Sequence, residues 1–237
     1  MKTAIVIGVG PEDGLGSQLC QRFARGHHVF VAGRTAETLE KTVAAIKQAG
    51  GNAEAMVTDA TQESQVVDLF KAAGPDLEVA IYNAGNNTPG TLADMTVEYF
   101  ENSWRVCCLG GFIFGREAVK TMKAADGGTL LYTGASASLR GKAGFGAFNS
   151  SKSALRTLAQ AFAKEYAPDN IHVGHVIVDG PIGGHKIKSR FPDRAAQLGE
   201  AGMISIQGIV DAYEFLHLQP ANAWSFELDL RTSQERW

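Results

Sequence analysis

Three glycines at fixed spacing, Gly10, Gly14 and Gly16, stand between an apolar run, Ala4-Ile5-Val6-Ile7, and a segment of helical period that opens at Leu15. A glycine at such a turn lets the backbone pass close to a pyrophosphate. The helix that follows offers unpaired amides and the positive end of its dipole. The chemistry on offer is therefore anion binding, with a phosphate-bearing ligand as the expected guest. Further along, Phe148 and Lys152 lie four residues apart in a segment of helical period over 146–166, which sets a phenyl ring and an ammonium on one helix face.

A phosphate turn of this kind needs a strand before it and a helix after it, and the chain repeats that unit. Apolar, β-branched runs at 4–7, 28–32, 53–57 and 79–82 alternate with helical segments at 15–24, 36–49 and 62–73. The alternation continues with a long helix over 97–123, a strand over 129–133, the helix over 146–166, a strand over 171–178, a helix over 206–218 and a strand over 224–230. It predicts an α/β fold, a Rossmann-type doubly wound parallel sheet flanked by helices, with residues 1–237 as a single dinucleotide-binding domain. The irregular stretch is 179–205, polar and broken by Gly and Pro, which is expected to lie over the ligand crevice.

At 237 residues and 45% hydrophobic content, the chain can bury one full core. Its formal charge of -3 comes from mixed signs without a basic stripe, which excludes a nucleic-acid surface. Cys20, Cys107 and Cys108 make no disulfide framework and lack the paired spacing of a zinc site, so a reducing, cytoplasmic setting and no metal are expected. The apolar stretch 3–9 is too short for a secretory signal, and no apolar run approaches 18 residues, so neither export nor a membrane span is expected.

The G-x-x-x-G-x-G loop, Asp59 in Thr58-Asp59-Ala60-Thr61, Asn83-Ala84-Gly85 after the fourth strand and Lys152 after the fifth stand in one order along the chain. This set resembles the short-chain dehydrogenase/reductase family, over nearly the whole length. The resemblance implies a nicotinamide dinucleotide held by Gly10, Gly14, Leu15, Gly16, Arg34, Asp59, Asn83, Ala84, Gly85 and Lys152. In it Asp59 would meet the adenine and Lys152 the nicotinamide ribose. NAD users of the family tend to keep an acid at the end of the second strand. Arg34 stands there instead, and its guanidinium can pair with the extra phosphate of NADP. NADP(H) is the expected cofactor, with NAD as the alternative, since Asp13 in the glycine loop points the other way. The resemblance further implies a homodimer or homotetramer built through the two long helices and the last strand.

The family's carbonyl chemistry uses a Tyr four residues before the Lys, a Ser that hydrogen-bonds the substrate oxygen, and an Asn on the preceding long helix. Here Phe148 falls at the tyrosine, Ala135 at the serine and Cys107 at the asparagine, and the longer tyrosine spacing of the enoyl reductases meets Phe145. Lys152 alone is kept. Ser136, one residue from the serine position, and His185, in the polar stretch, join Lys152 as candidate catalytic residues. Asp179-Gly180 replaces the family's Pro-Gly. Tyr132 is expected beneath the crevice, Cys107 and Cys108 in the core, His172 and His175 in structural roles, and His27-His28 at a surface turn. Two readings follow. One is an atypical NADP(H)-dependent oxidoreductase acting on an apolar or conjugated small molecule; the other is a non-catalytic NADP(H)-binding sensor or regulator.

Overall fold

The computed structural model describes residues 1–87 and 89–235. Seven strands among them, β1 (Thr3–Ile7), β2 (His28–Gly33), β3 (Asn52–Val57), β4 (Leu77–Tyr82), β5 (Gly128–Ala135), β6 (Ile171–Asp179) and β7 (Glu227–Arg231), form one parallel sheet. Its order is β3-β2-β1-β4-β5-β6-β7, so the winding reverses between β1 and β4. The helices are α1 (Leu15–Phe23), α2 (Ala36–Gln48), α3 (Glu63–Ala73), α4 (Val97–Trp104), α5 (Gly110–Ala124), α6 (Gly146–Tyr166), α7 (His185–Arg190), α8 (Pro192–Leu198) and α9 (Ile206–His217).

The strands read as unbroken apolar runs because both faces of the sheet are covered. Ala4 and Val6 of β1 pack with Leu19 of α1, Val43 of α2 and Tyr213 of α9, whereas Ile5 and Ile7 pack with Leu69 of α3, Phe114 of α5 and Leu155 of α6. Arg22, nearly buried, ties α1 to α9 through Asp211 at 2.7 Å and Glu214 at 2.6 Å.

Three expectations need correction. The helix expected over 97–123 is interrupted by a π-helical stretch, Arg105–Leu109. The bulge meets a contact from elsewhere in the chain: Tyr82 rises from β4 to donate to the Val106 carbonyl, and Gly110 packs so closely on the phenol that a side chain there would collide with it. The stretch 179–205 is not irregular throughout, since it carries α7 and α8. The last strand begins at Glu227 rather than 224.

His175 illustrates the cost of a polar ring inside the sheet. Its side chain is fully buried, Nδ1 lies 2.9 Å from Glu227, and Nε2 has no hydrogen-bond partner among the described residues. Burial pushes the imidazole down to about 4, with Glu227 opposing. The unfolded chain therefore binds more protons than the folded one between about pH 4 and the ordinary value of 6.5. Stability must fall as pH drops through that window, by on the order of 3 kcal/mol for this one group. Urea unfolding of the wild type and His175→Gln at pH 7 and pH 4 should show a smaller acid loss in the variant; equal losses would assign the acid sensitivity elsewhere.

Candidate active site

The crevice of an open α/β sheet lies at the carboxyl ends of the strands where the winding reverses. Here that is the gap between β1 and β4. The glycine loop begins with Gly8 at φ +89°, a conformation a side chain disfavours. Gly8 and Val9 both donate to Ala32 O at 3.0 Å, and Asn83 donates to Gly8 O at 3.1 Å. A Cβ on Gly8 would sit 2.5 Å from Ala84 N, and one on Gly16 would sit 2.9 Å from Gly8 O. These two glycines serve the packing of the loop on Asn83-Ala84 and on α1. Gly10 differs, because a Cβ there meets open space among the described residues and its φ is not positive. No neighbour among the described residues therefore excludes a side chain at Gly10, and the space beside it is open to a ligand.

Gly14 is the N-cap of α1, with no side-chain cap bond and no acid in the first turn. The amides of that turn remain for an anion, and the open cradle at Gly10 adjoins them. Leu15 sends its side chain into the core, so its backbone is what it can offer a ligand. At the end of β2, Arg34 is exposed, and Thr35 caps α2 without a side-chain bond. Asp59 accepts from Thr61 N at 2.9 Å and Thr61 Oγ1 at 2.8 Å, which holds the turn after β3.

At the other end of the crevice, α6 delivers Lys152 beneath the carboxyl end of β5. Its ammonium is buried and donates to Thr133 O at 2.8 Å; the Phe148 ring lies 5.9 Å away. Burial pushes this lysine down, and Cys107 beside it acts in the opposite sense. Thr133 also links the two halves of the site. Its hydroxyl donates to Asn83 Oδ1 at 2.9 Å, so the 2.6 Å contact with Tyr213 must use the tyrosine as donor. A relay thus runs from Tyr213 of α9 through Thr133 and Asn83 to the Gly8 carbonyl.

The other two candidate catalytic residues are not brought to the lysine's contacts. Ser136 lies beside Asp179, the last residue of β6, which receives Arg140 at 3.0 Å on both carboxylate oxygens. Burial pushes the Asp179 carboxyl up, but Ser136, Arg140 and the Arg231 charge outweigh it, and the group is held below its ordinary value. An ionised carboxylate accepts only, so Ser136 can meet it solely as a donor. His185, the first residue of α7, is half exposed and 3.6 Å from Asp13 of the glycine loop, on a cavity of about 590 Å³ that Pro11, Gln18 and Lys41 also line. It adjoins the glycine loop.

Sequence reasoning missed Gly8, Thr133, Tyr213 and Arg140 as parts of the site. A glycine at a strand end was a usable signal for Gly8. Nothing local distinguishes the other three. Tyr132 is buried and donates to Gly111 O, as expected of a residue beneath the crevice, and Cys107 and Cys108 are buried. His27 departs from expectation, since its side chain is only 10% exposed.

A parallel sheet with a glycine loop at its reversal point and a buried lysine across the crevice defines a dinucleotide-binding α/β domain. Residues 2–185 match the model of the short chain dehydrogenase family, and the chain belongs to that family. A crystal structure of a short-chain dehydrogenase from Rhodopseudomonas palustris is 36% identical, covers 97% of this chain and 98% of its own, and superposes with a TM-score of 0.83. The oxidoreductase YuxG of Bacillus subtilis (strain 168) is 30% identical over 207 residues, 84% of this chain but 30% of that longer protein. The NADPH-dependent aldehyde reductase-like protein, chloroplastic, of Arabidopsis thaliana is 31% identical over 139 residues, 56% of this chain and 51% of its own. The chain is thus an oxidoreductase of the short-chain type, from a family that binds NAD(P) and acts on small molecules. Among the described residues no helix is long and apolar enough to cross a membrane.

Proposed function

We propose that the protein is an NADP(H)-dependent oxidoreductase whose proton transfer does not pass through a tyrosine and whose substrate is an apolar or conjugated small molecule. Lys152 carries this reading. An ammonium has three N–H donors, and leaving them unpaired in a buried place is costly. Among the described residues its acceptor is Thr133 O, so donors remain for the hydroxyls of a ribose. A bound nicotinamide would supply the hydride.

The chain's own residues do the rest. The amides after Gly14 and the cradle at Gly10 hold a pyrophosphate, and Asn83-Ala84-Gly85 with Lys152 orient the ribose. Phe148 and Ala135 line the place where a substrate would lie with a ring and a methyl, which suits an acceptor that needs little polarisation of its oxygen. The proton comes from water, from the substrate, from Ser136, or from His185 if α7 moves. Arg34 and the uncapped start of α2 suit an adenosine 2′-phosphate, which favours NADP over NAD. Val97, Phe100 and Trp104 along α4, Phe112 on α5, and Phe215 and Leu218 at the end of α9 are exposed, which supports a homodimer or homotetramer through these faces.

Loss of the charge-assisted Arg34 contact should weaken NADPH by roughly 1.5–3 kcal/mol, about tenfold to 150-fold, and leave NADH unchanged. Titration of both cofactors against the wild type and Arg34→Ala checks it; equal wild-type affinities would remove the role assigned to Arg34. The redox reading itself is tested by NADPH consumption on a panel of ketones, enones and quinones. Tight NADPH binding without turnover of any member would favour the sensor or regulator.

A further inference from the structure

At the end of the sheet where the strands begin, opposite the crevice, side chains from three separate elements converge. His27 lies in the turn between α1 and β2, Glu78 is the second residue of β4, and His217 closes α9. One potential ligand atom from each lies within 4.8 Å of the others. The Glu78 carboxylate is 2.7 Å from His27 Nε2, and the two imidazole centroids are 5.6 Å apart.

The remaining ring nitrogens are already engaged. His27 Nδ1 lies 3.1 Å from Phe23 O, which only accepts, so that nitrogen carries a proton. His217 Nδ1 lies 3.1 Å from Thr129 Oγ1. Such outer partners fix the tautomer of metal-binding histidines. In neutral His27 the Nε2 lone pair would face a carboxylate at 2.7 Å. A contact between two acceptors repels, so a proton or a metal ion must lie between them.

We propose that His27, Glu78 and His217 form a zinc site remote from the dinucleotide crevice. Two imidazoles and one carboxylate fit zinc, and the part-exposed Glu78 leaves room for water as a fourth ligand. The ion would replace the proton shared by His27 and Glu78 and clamp the α1–β2 turn, β4 and α9 together. Residues from these same helices already meet through Arg22, Asp211 and Glu214.

The test is calorimetric titration of the chelator-treated protein with zinc chloride, with cobalt(II) substitution as a spectroscopic check. The expected result is one ion per chain and intense tetrahedral d–d bands. Affinity should fall at least tenfold in both His217→Ala and Glu78→Gln, whose metal-free forms melt cooperatively. His28→Ala, which removes the neighbouring His28–Glu54 pair, should bind as the wild type does. Absence of stoichiometric binding, or equal affinity in the wild type and Glu78→Gln, a change that keeps side-chain volume, would overturn the proposal.

Discussion

The double variant Ala135→Ser with Phe148→Tyr should reduce activated ketones with NADPH at least roughly 10²-fold faster than the wild type. A positioned general acid is worth about 10²–10⁴-fold and an oxyanion donor about 10²–10³-fold. The scaffold to receive both is in place. The Phe148 ring already lies 5.9 Å from the Lys152 ammonium, so a phenol there would have a cation to favour its ionised form. Ala135 ends β5, and its carbonyl is fixed by Ser138 at 2.7 Å, so an added hydroxyl starts from an ordered backbone. Each change adds a single oxygen, which keeps overpacking small. Because such groups act as a unit, either single variant should recover far less than the double. NADPH oxidation across a ketone panel, with melting curves as a folding control, decides it. A folded double variant that binds NADPH yet reduces nothing would mean a pocket remodelled away from carbonyl chemistry, and would favour the non-catalytic reading.

Gly8→Ala should cost more stability than any other change in the glycine loop. The residue sits at φ +89°, and the new Cβ would come within 2.5 Å of Ala84 N and 2.6 Å of the Asn83 carbonyl carbon. Both neighbours are backbone and cannot rotate away. Strain at positive φ costs about 1–2 kcal/mol and overpacking about 1–3, so the loss should be roughly 2–5 kcal/mol against a total stability of roughly 5–15 kcal/mol. Gly10→Ala, where the Cβ meets open space, should unfold within about 1 kcal/mol of the wild type yet bind the dinucleotide much more weakly. Urea unfolding and cofactor titration of both variants separate the roles. A stable Gly8→Ala, or an unimpaired Gly10→Ala, would show that these glycines are not divided between packing and ligand as assigned.

Much of this protein is carried by short-range signals. Unbroken apolar runs alternating with helical period determine a doubly wound parallel sheet, because a strand covered on both faces must be apolar throughout. The glycines at 10, 14 and 16 mark the phosphate turn because its chemistry lies in adjacent residues, and Lys152 could be placed on α6 by period alone. What the tertiary structure decided are the contacts between residues far apart in the chain. The run over 97–123 has nothing in it to announce a π-helical stretch; the cause is Tyr82, brought up from another strand. Asp179 was an isolated acid in sequence and met Arg140 only when the end of β5 and β6 lay side by side. The relay from Tyr213 to Gly8 joins α9 to the ends of β5, β4 and β1, and His27, Glu78 and His217 converge because the folded sheet brings the α1–β2 turn, β4 and α9 to one place. Neither spacing nor composition encodes that meeting, since hydrogen bonding and ligation act over a few ångströms in space and are blind to separation along the chain.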